Sequence, residues 1–142
     1  MNSIEKRFEN LKSEFNELEQ WSLRYQHLVE MGKSLPPLSD NQKQDSNLIQ
    51  GCVSKVWLGA DMRSGKLFFW GDSDGIMPKG LVALTSTIFS NTSPQEILAF
   101  QAPILSELGL LQNLTPTRAK AMENMLRRVK ELAALALKET QA

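Results

Sequence analysis

Leu48-Ile49-Gln50-Gly51-Cys52-Val53-Ser54-Lys55-Val56-Trp57 is the stretch from which the rest of the chain is read. It holds the only cysteine, directly after a glycine and immediately before the clearest strand pattern in the sequence. Gly51 supplies backbone freedom that no residue with a Cβ matches. The stretch therefore reads as a brief apolar entry, a tight turn presenting Cys52, and a rigid strand behind it. In that strand Val56, Leu58 and Ala60 alternate with Lys55, Trp57 and Gly59, the two-residue period of a sheet with one buried face. Two readings of the cysteine stay open at this level. An unpaired cysteine is often a small buried hydrophobe; it is also a thiol available for chemistry.

Reading downstream, Asp61-Met62-Arg63-Ser64-Gly65 has hairpin length with glycine near its end, and Lys66 to Trp70 is the returning strand. A two-stranded hairpin is marginal alone, so a third strand from Leu48-Ile49 and a cover of helices are expected. Gly71-Asp72-Ser73-Asp74-Gly75 then switches the chain into a helix that runs through Leu81, Leu84 and Ile88 to Asn91. Asp or Ser at the cap of that helix would satisfy its first amides, and Pro78 is tolerable in a first turn. Asp72 and Asp74 also make half of a metal site on paper, but Ile76-Met77-Pro78 supplies no further oxygen ligand.

Upstream, Ile4, Phe8, Leu11, Phe15, Leu18, Trp21, Tyr25 and Leu28 recur at steps of three and four. That spacing predicts an amphipathic helical region, divisible near Asn16 to Glu19, with Asn2 and Glu5 as a capping pair and Gly32 and Pro36-Pro37 as the stop. Ser39 to Asn47 is polar and aperiodic, a loop. Toward the C-terminus, Ser93-Pro94-Gln95-Glu96 is a complete start signal for a short helix ending at Phe100. Another short helix begins at Pro103 and closes at Gly109, and Thr115-Pro116 opens the last one. There Ala119, Met122, Leu126, Val129, Ala133 and Ala136 form an apolar stripe. The expected architecture is α+β, a small antiparallel three-stranded sheet with helices packed mostly on one face. At 142 residues one domain, 1–142, is expected.

Composition narrows the function. Sixteen basic and sixteen acidic residues cancel, which argues against a nucleic-acid binder, since that role needs a basic face. One cysteine excludes an internal disulfide, a Cys-x-x-Cys redox pair and a thiolate-rich zinc site. An unpaired thiol suits a reducing, cytoplasmic location, and neither an export signal nor a membrane-length apolar run is visible. His27 has no second histidine or cysteine near it in the helix and reads as a surface or packing residue rather than a ligand.

Gly51-Cys52-Val53-Ser54-Lys55-Val56-Trp57-Leu58, then Gly71-Asp72-Ser73-Asp74-Gly75, then Lys79-Gly80-Leu81, resembles the SufE family of CsdE-like sulfur acceptors. Arg24-Tyr25-Gln26-His27-Leu28-Val29-Glu30-Met31-Gly32 through Pro36-Pro37-Leu38 is similar to its N-terminal signature, and Leu108-Gly109-Leu110 with Leu114-Thr115-Pro116-Thr117-Arg118 to its C-terminal one. Four separated motifs in order span nearly the whole chain. The resemblance implies that Cys52 accepts sulfur as a persulfide from a pyridoxal-phosphate cysteine desulfurase, SufS- or CsdA-like, and so stimulates that enzyme. It further implies delivery to a downstream acceptor or cluster scaffold, with no resident cofactor, because the pyridoxal phosphate belongs to the partner. A homodimer remains open. Gly51, Ser54, Lys55, Asp74 and Arg118 are the candidate supporting residues. The sequence departs from the family at Val53, where glutamine is usual, at Met77-Pro78-Lys79, and at Thr117 in place of serine.

Sulfur transfer of this kind is a thiolate attack. Lowering the thiol pKa raises the thiolate fraction but weakens the nucleophile, for a net gain of only about threefold. Positioning is the stronger lever, which favours a short presenting loop. A persulfide is also prone to oxidation, so partial shelter is expected from Val53, Trp57 and the residues near Gly71 to Gly75, with Lys55 or Arg118 favouring the thiolate if close. The competing readings are a paralogue delivering sulfur elsewhere, such as tRNA modification, an iron–sulfur scaffold, and a non-catalytic interaction module with a structural cysteine. A scaffold normally needs several cysteine ligands.

Overall fold

The protein is described by a computed structural model covering residues 2–141. The N-terminal helical region divides where the sequence suggests, into α1 (Ser3–Glu17) and α2 (Trp21–Lys33). The Asn2 side chain accepts from the Glu5 backbone N–H at 2.9 Å and so starts α1. Arg24 ties the break together: its Nε donates to the Phe15 and Leu18 carbonyls at 3.0 and 2.7 Å, and its Nη1 to the Gly109 carbonyl at 2.8 Å. The Leu18 carbonyl lies at the helix end, where the last carbonyls lack intrahelical partners, and the Phe15 carbonyl also accepts from Leu18 N–H at 3.1 Å.

The polar loop that follows contains one 3-10 turn, Asp45–Asn47, and leads to the hairpin β1 (Val56–Arg63) and β2 (Lys66–Ser73). The strands pair antiparallel from Val56 opposite Ser73 to Arg63 opposite Lys66. The turn is two residues long, with Ser64 at φ 51° and Gly65 at φ 79°, the twist-matched hairpin geometry. The expected five-residue turn is thus shorter: the first strand, expected over Val53 to Ala60, is displaced to Val56–Arg63, and the second runs past Trp70 to Ser73. The expected third strand is a single bridge between Leu48 and Trp57. Ile49 N–H donates to the Val56 carbonyl at 2.8 Å, but Gly51 at φ 84° turns the chain away before a second ladder step forms.

Helices α3 (Ile76–Phe89), α4 (Pro94–Ala99), α5 (Ile104–Glu107) and α6 (Pro116–Gln141) complete the α+β fold. Ser93 caps α4 by accepting from Glu96 N–H at 3.2 Å, with Pro94 at its first position. One sheet face, Val56, Leu58, Leu67, Phe69 and Gly71, is buried, and α3 and α6 contact the strands. On the opposite face Gly59 is covered by the Trp70 indole rather than by a helix. No helix among the described residues is long and apolar enough to cross a membrane.

Two glycines set how closely α2 and α3 approach. A Cβ on Gly80 would stand 2.6 Å from the Leu28 carbonyl oxygen, and one on Gly32 would stand 3.0 Å from the Gly80 nitrogen. The two backbones touch there. This contact holds the beginning of α3 next to the middle of α2, and the cysteine turn lies over the same end of the molecule. From the other side Arg128 of α6 donates to the Leu58 carbonyl at 3.2 Å and to the Ser46 carbonyl at 3.1 Å. The start of β1, the loop before the cysteine and α6 are thereby fixed to one another.

Candidate functional site

The cysteine turn is held by backbone on both sides. At its entrance Ile49 pairs with Val56. At its exit Lys55 N–H donates to Asp74 Oδ1 at 2.9 Å, and the Lys55 carbonyl accepts from Ser73 Oγ at 2.7 Å and from Asp74 N–H at 3.2 Å. These bonds at the two roots leave Gly51 to Ser54 as the free arc. Asp74 and Ser73 therefore do not cap α3 as the sequence suggests. The N-cap is Gly75, without a side-chain bond, because the Asp74 carboxylate is engaged by the loop and Ser73 Oγ accepts from Gly75 N–H at 3.2 Å instead.

Asp72 is likewise occupied. Its carboxylate accepts from Ser73 N–H at 2.8 Å and lies 3.2 Å from Lys79 Nζ and 3.5 Å from Lys43 Nζ. Burial works to raise its pKa, but the Ser73 N–H and the Lys79 ammonium outweigh that and hold the carboxyl below its ordinary value. The paired aspartates are braces for the strand-to-helix corner. Among the described residues no group of three or more His, Cys, Asp or Glu stands together in a metal-binding arrangement.

Cys52 is half-buried and opens into a cavity of about 470 Å³. Its walls come from four places: Ser54 of the turn itself, Ile76 and Met77 at the start of α3, Tyr25 of α2, and Arg118 at the start of α6. The structure thus brings Arg118 into one cavity with Cys52 and Ser54, although it lies far from them in sequence. Gly51 supplies the positive φ the turn requires, and Asp74 anchors the turn's exit. Lys55 differs from expectation: its side chain is exposed and does not line the cavity, and its part is played by its backbone. Trp57 differs too. It does not line the cavity but lies under Lys43, whose Nζ is 5.1 Å from the ring centroid. Val53, expected to shelter the thiol, is instead 87% exposed at the tip, and Ile76 across the mouth is 66% exposed. The shelter falls to the cavity's inner residues, Tyr25, Val56, Met77 and Ala121.

One residue beside the thiol was missed. Asn124 of α6 is only 5% exposed, and its Nδ2 lies 2.9 Å from where a Cβ on Gly51 would stand. Its Oδ1 accepts from Arg127 Nη1 at 3.0 Å. The available signal was a polar residue inside an apolar helix face, between Met122 and Met125.

Burial pushes the Cys52 thiol above its ordinary pKa near 9.0, and the Asn124 side chain works against that rise. At rest the group is therefore a protonated thiol at neutral pH. The expected consequence is an alkylation rate, in the isolated protein, that climbs about tenfold per pH unit between about pH 7 and 8.5, following the thiolate fraction. Iodoacetamide kinetics read by intact mass check this. A plateau reached below about pH 8 would show a thiol already ionised and contradict the burial argument.

The architecture is an α+β fold that sets one cysteine over an apolar cavity beside an arginine. Residues 9–133 match the family described as SufE: Fe-S metabolism associated domain. The chain belongs to the SufE family, and through it to proteins associated with iron–sulfur metabolism. Among solved structures it is similar to a hypothetical protein from Thermus thermophilus, determined in solution, with a TM-score of 0.76, 22% identity and 96% of each chain covered. That likeness concerns the fold.

Proposed function

We propose that the protein is a sulfur acceptor and activator for a pyridoxal-phosphate cysteine desulfurase, carrying sulfur on Cys52 toward iron–sulfur cluster assembly. The observation that supports this most is the position of the chain's one thiol, on a short turn rooted by hydrogen bonds, half-sheltered over a cavity, in a SufE-family fold. The Cys52 thiolate attacks the terminal sulfur of the enzyme's persulfide. The new bond joins Cys52 Sγ to that sulfur, the old S–S bond breaks, and the enzyme cysteine leaves as a thiolate. One sulfane sulfur changes carrier, with no net oxidation and no external electron donor. The enzyme is freed for its next turnover, which is how an acceptor stimulates it.

Each feature of the site has a place in that step. The rooted arc fixes where Sγ is presented, which is worth more than tuning its pKa. Arg118, sharing the cavity with Cys52, is a cation available to the thiolate or to a bound perthiolate. The exposed Val53 and Ile76 flank the mouth and supply apolar surface for docking. A reducing cytoplasm is the compartment that keeps such an unpaired thiol free.

Incubation with a desulfurase and cysteine, followed by mass spectrometry, tests the reading directly. One added sulfur atom on the Cys52 peptide, removable by reductant, is the expected result. An unmodified peptide alongside a demonstrably active desulfurase would leave only the non-catalytic module.

A further inference from the structure

Asparagine is a poor residue for the middle of a helix, and a buried carboxamide costs about 1–3 kcal/mol unless its polar atoms are satisfied. Asn124 is both, set well inside α6 and almost wholly buried. Its surroundings decide which way the amide points. Arg127 carries only donors, so its Nη1, 3.0 Å away, fixes Oδ1 on its own side. The Nδ2 donor is left facing the Gly51 end of the cysteine turn, close enough that a Cβ on Gly51 would collide with it at 2.9 Å. The glycine that gives the turn its shape therefore also admits the amide.

We infer that Asn124 is a positioning residue for the sulfur carrier: oriented by Arg127, its Nδ2–H is aimed at the Gly51–Cys52 turn, where it favours the thiolate and fixes Sγ over the cavity. The inference rests on the reading of Cys52 as the accepting nucleophile. Its logic is that of a neutral donor offered to an anion in a sheltered place, strengthening as charge develops and costing little while the group is a thiol. The opposing influences that burial and Asn124 exert on the thiol agree with it. Other groups face Cys52 from the surrounding elements: Arg118 of α6 and Tyr25 of α2 share the cavity, and Thr115 and Thr117 add neutral hydroxyls. Asp74 and Lys55 are tied to each other through the Lys55 N–H. All of these are retained when Asn124 alone is changed.

The test needs no desulfurase, so it separates failure of this inference from failure of the proposed function. The pH profile of Cys52 alkylation is measured by intact mass for the full chain and for Asn124→Asp, Asn124→Ala and Arg127→Met, each with a thermal melt. Asn124→Asp keeps the size and the Arg127 partner but sets a carboxylate where the donor was. That carboxylate raises the thiol's pKa by its charge alone. The discriminating variant is therefore the neutral Asn124→Ala, which removes the donor without adding charge and which a purely structural asparagine would tolerate without an upward move of the profile. The expected result is a midpoint displaced upward in both Asn124 variants, furthest in Asp, with the rate at about pH 7 lowered about threefold or more, as a rise of roughly half a pKa unit requires. Arg127→Met, which changes an exposed side chain, is expected to move it the same way by less, because the freed amide can flip. An Asn124→Ala profile superposing on wild type, or displaced downward, overturns the inference. Should the Asn124 variants melt below the assay temperature, an unchanged Arg127→Met profile overturns it instead.

Discussion

Replacing Cys52 with serine is expected to remove sulfur acceptance completely while leaving the protein folded. A hydroxyl at neutral pH is a far weaker nucleophile than even a sparsely ionised thiol, and oxygen cannot carry the persulfide. The fold should survive because Cys52 is half-buried on an arc whose roots are held by other residues: Ile49 with Val56 on one side, Lys55 with Ser73 and Asp74 on the other. None of those bonds passes through the thiol. Docking should persist as well, since an interface of ordinary size extends well beyond one side chain. The variant is therefore expected to bind a desulfurase, compete with wild type, and fail to raise alanine or sulfide production. Full stimulation by Cys52→Ser would mean that activation is conformational and that no sulfur passes through this residue. A melt lowered by tens of degrees would instead make Cys52 a structural member of the core.

The cysteine turn shows how far the sequence could be read. Gly51 before Cys52, with an alternating strand behind them, located the turn because a positive-φ residue and a period of two are local properties. The same is true of Asn2 at α1, Ser93-Pro94 at α4 and the break between α1 and α2. Arg118 was a candidate through a motif far along the chain, and its place in the same cavity as Cys52 is a tertiary contact that no spacing shows. What stayed illegible was pairing across the fold. Asp74 has the local appearance of a helix cap, yet its carboxylate binds Lys55 N–H nineteen residues earlier. Lys55 looked like a charge for the thiolate and contributes an amide and a carbonyl. Trp57 looked like shelter and lies under Lys43 on another side of the strand. Asn124 carried only the faint mark of a polar residue in an apolar stripe. In each case a side chain has several chemically sensible partners, and only the tertiary contact chooses among them.

The largest effect on stability is expected from Gly80→Val. Gly80 belongs to the Lys79-Gly80-Leu81 motif, and its sequence context, one glycine inside an otherwise strong helix, gives no local reason for it. The reason is the partner helix. A Cβ at this position would stand 2.6 Å from the Leu28 carbonyl oxygen and 3.0 Å from its carbon, distances that require something to move. Leu28 is fully buried on α2, and the obstacle is backbone, so no rotamer change relieves it. Valine gains a few tenths of a kcal/mol in helix propensity over glycine, while overpacking of this kind costs roughly 1–3 kcal/mol, toward the upper end against a rigid neighbour. Overpacking wins. For a chain of 142 residues, a loss near 3 kcal/mol corresponds to a melting temperature lower by roughly 10 °C. A second readout follows from geometry. Tyr25 on α2 and Ile76 and Met77 on α3 wall the same cavity, so forcing these helices apart should widen it and speed alkylation of Cys52. A Gly80→Val protein that melts within about 2 °C of wild type would show that α2 gives way freely, and that the glycine contact does not hold the cavity closed.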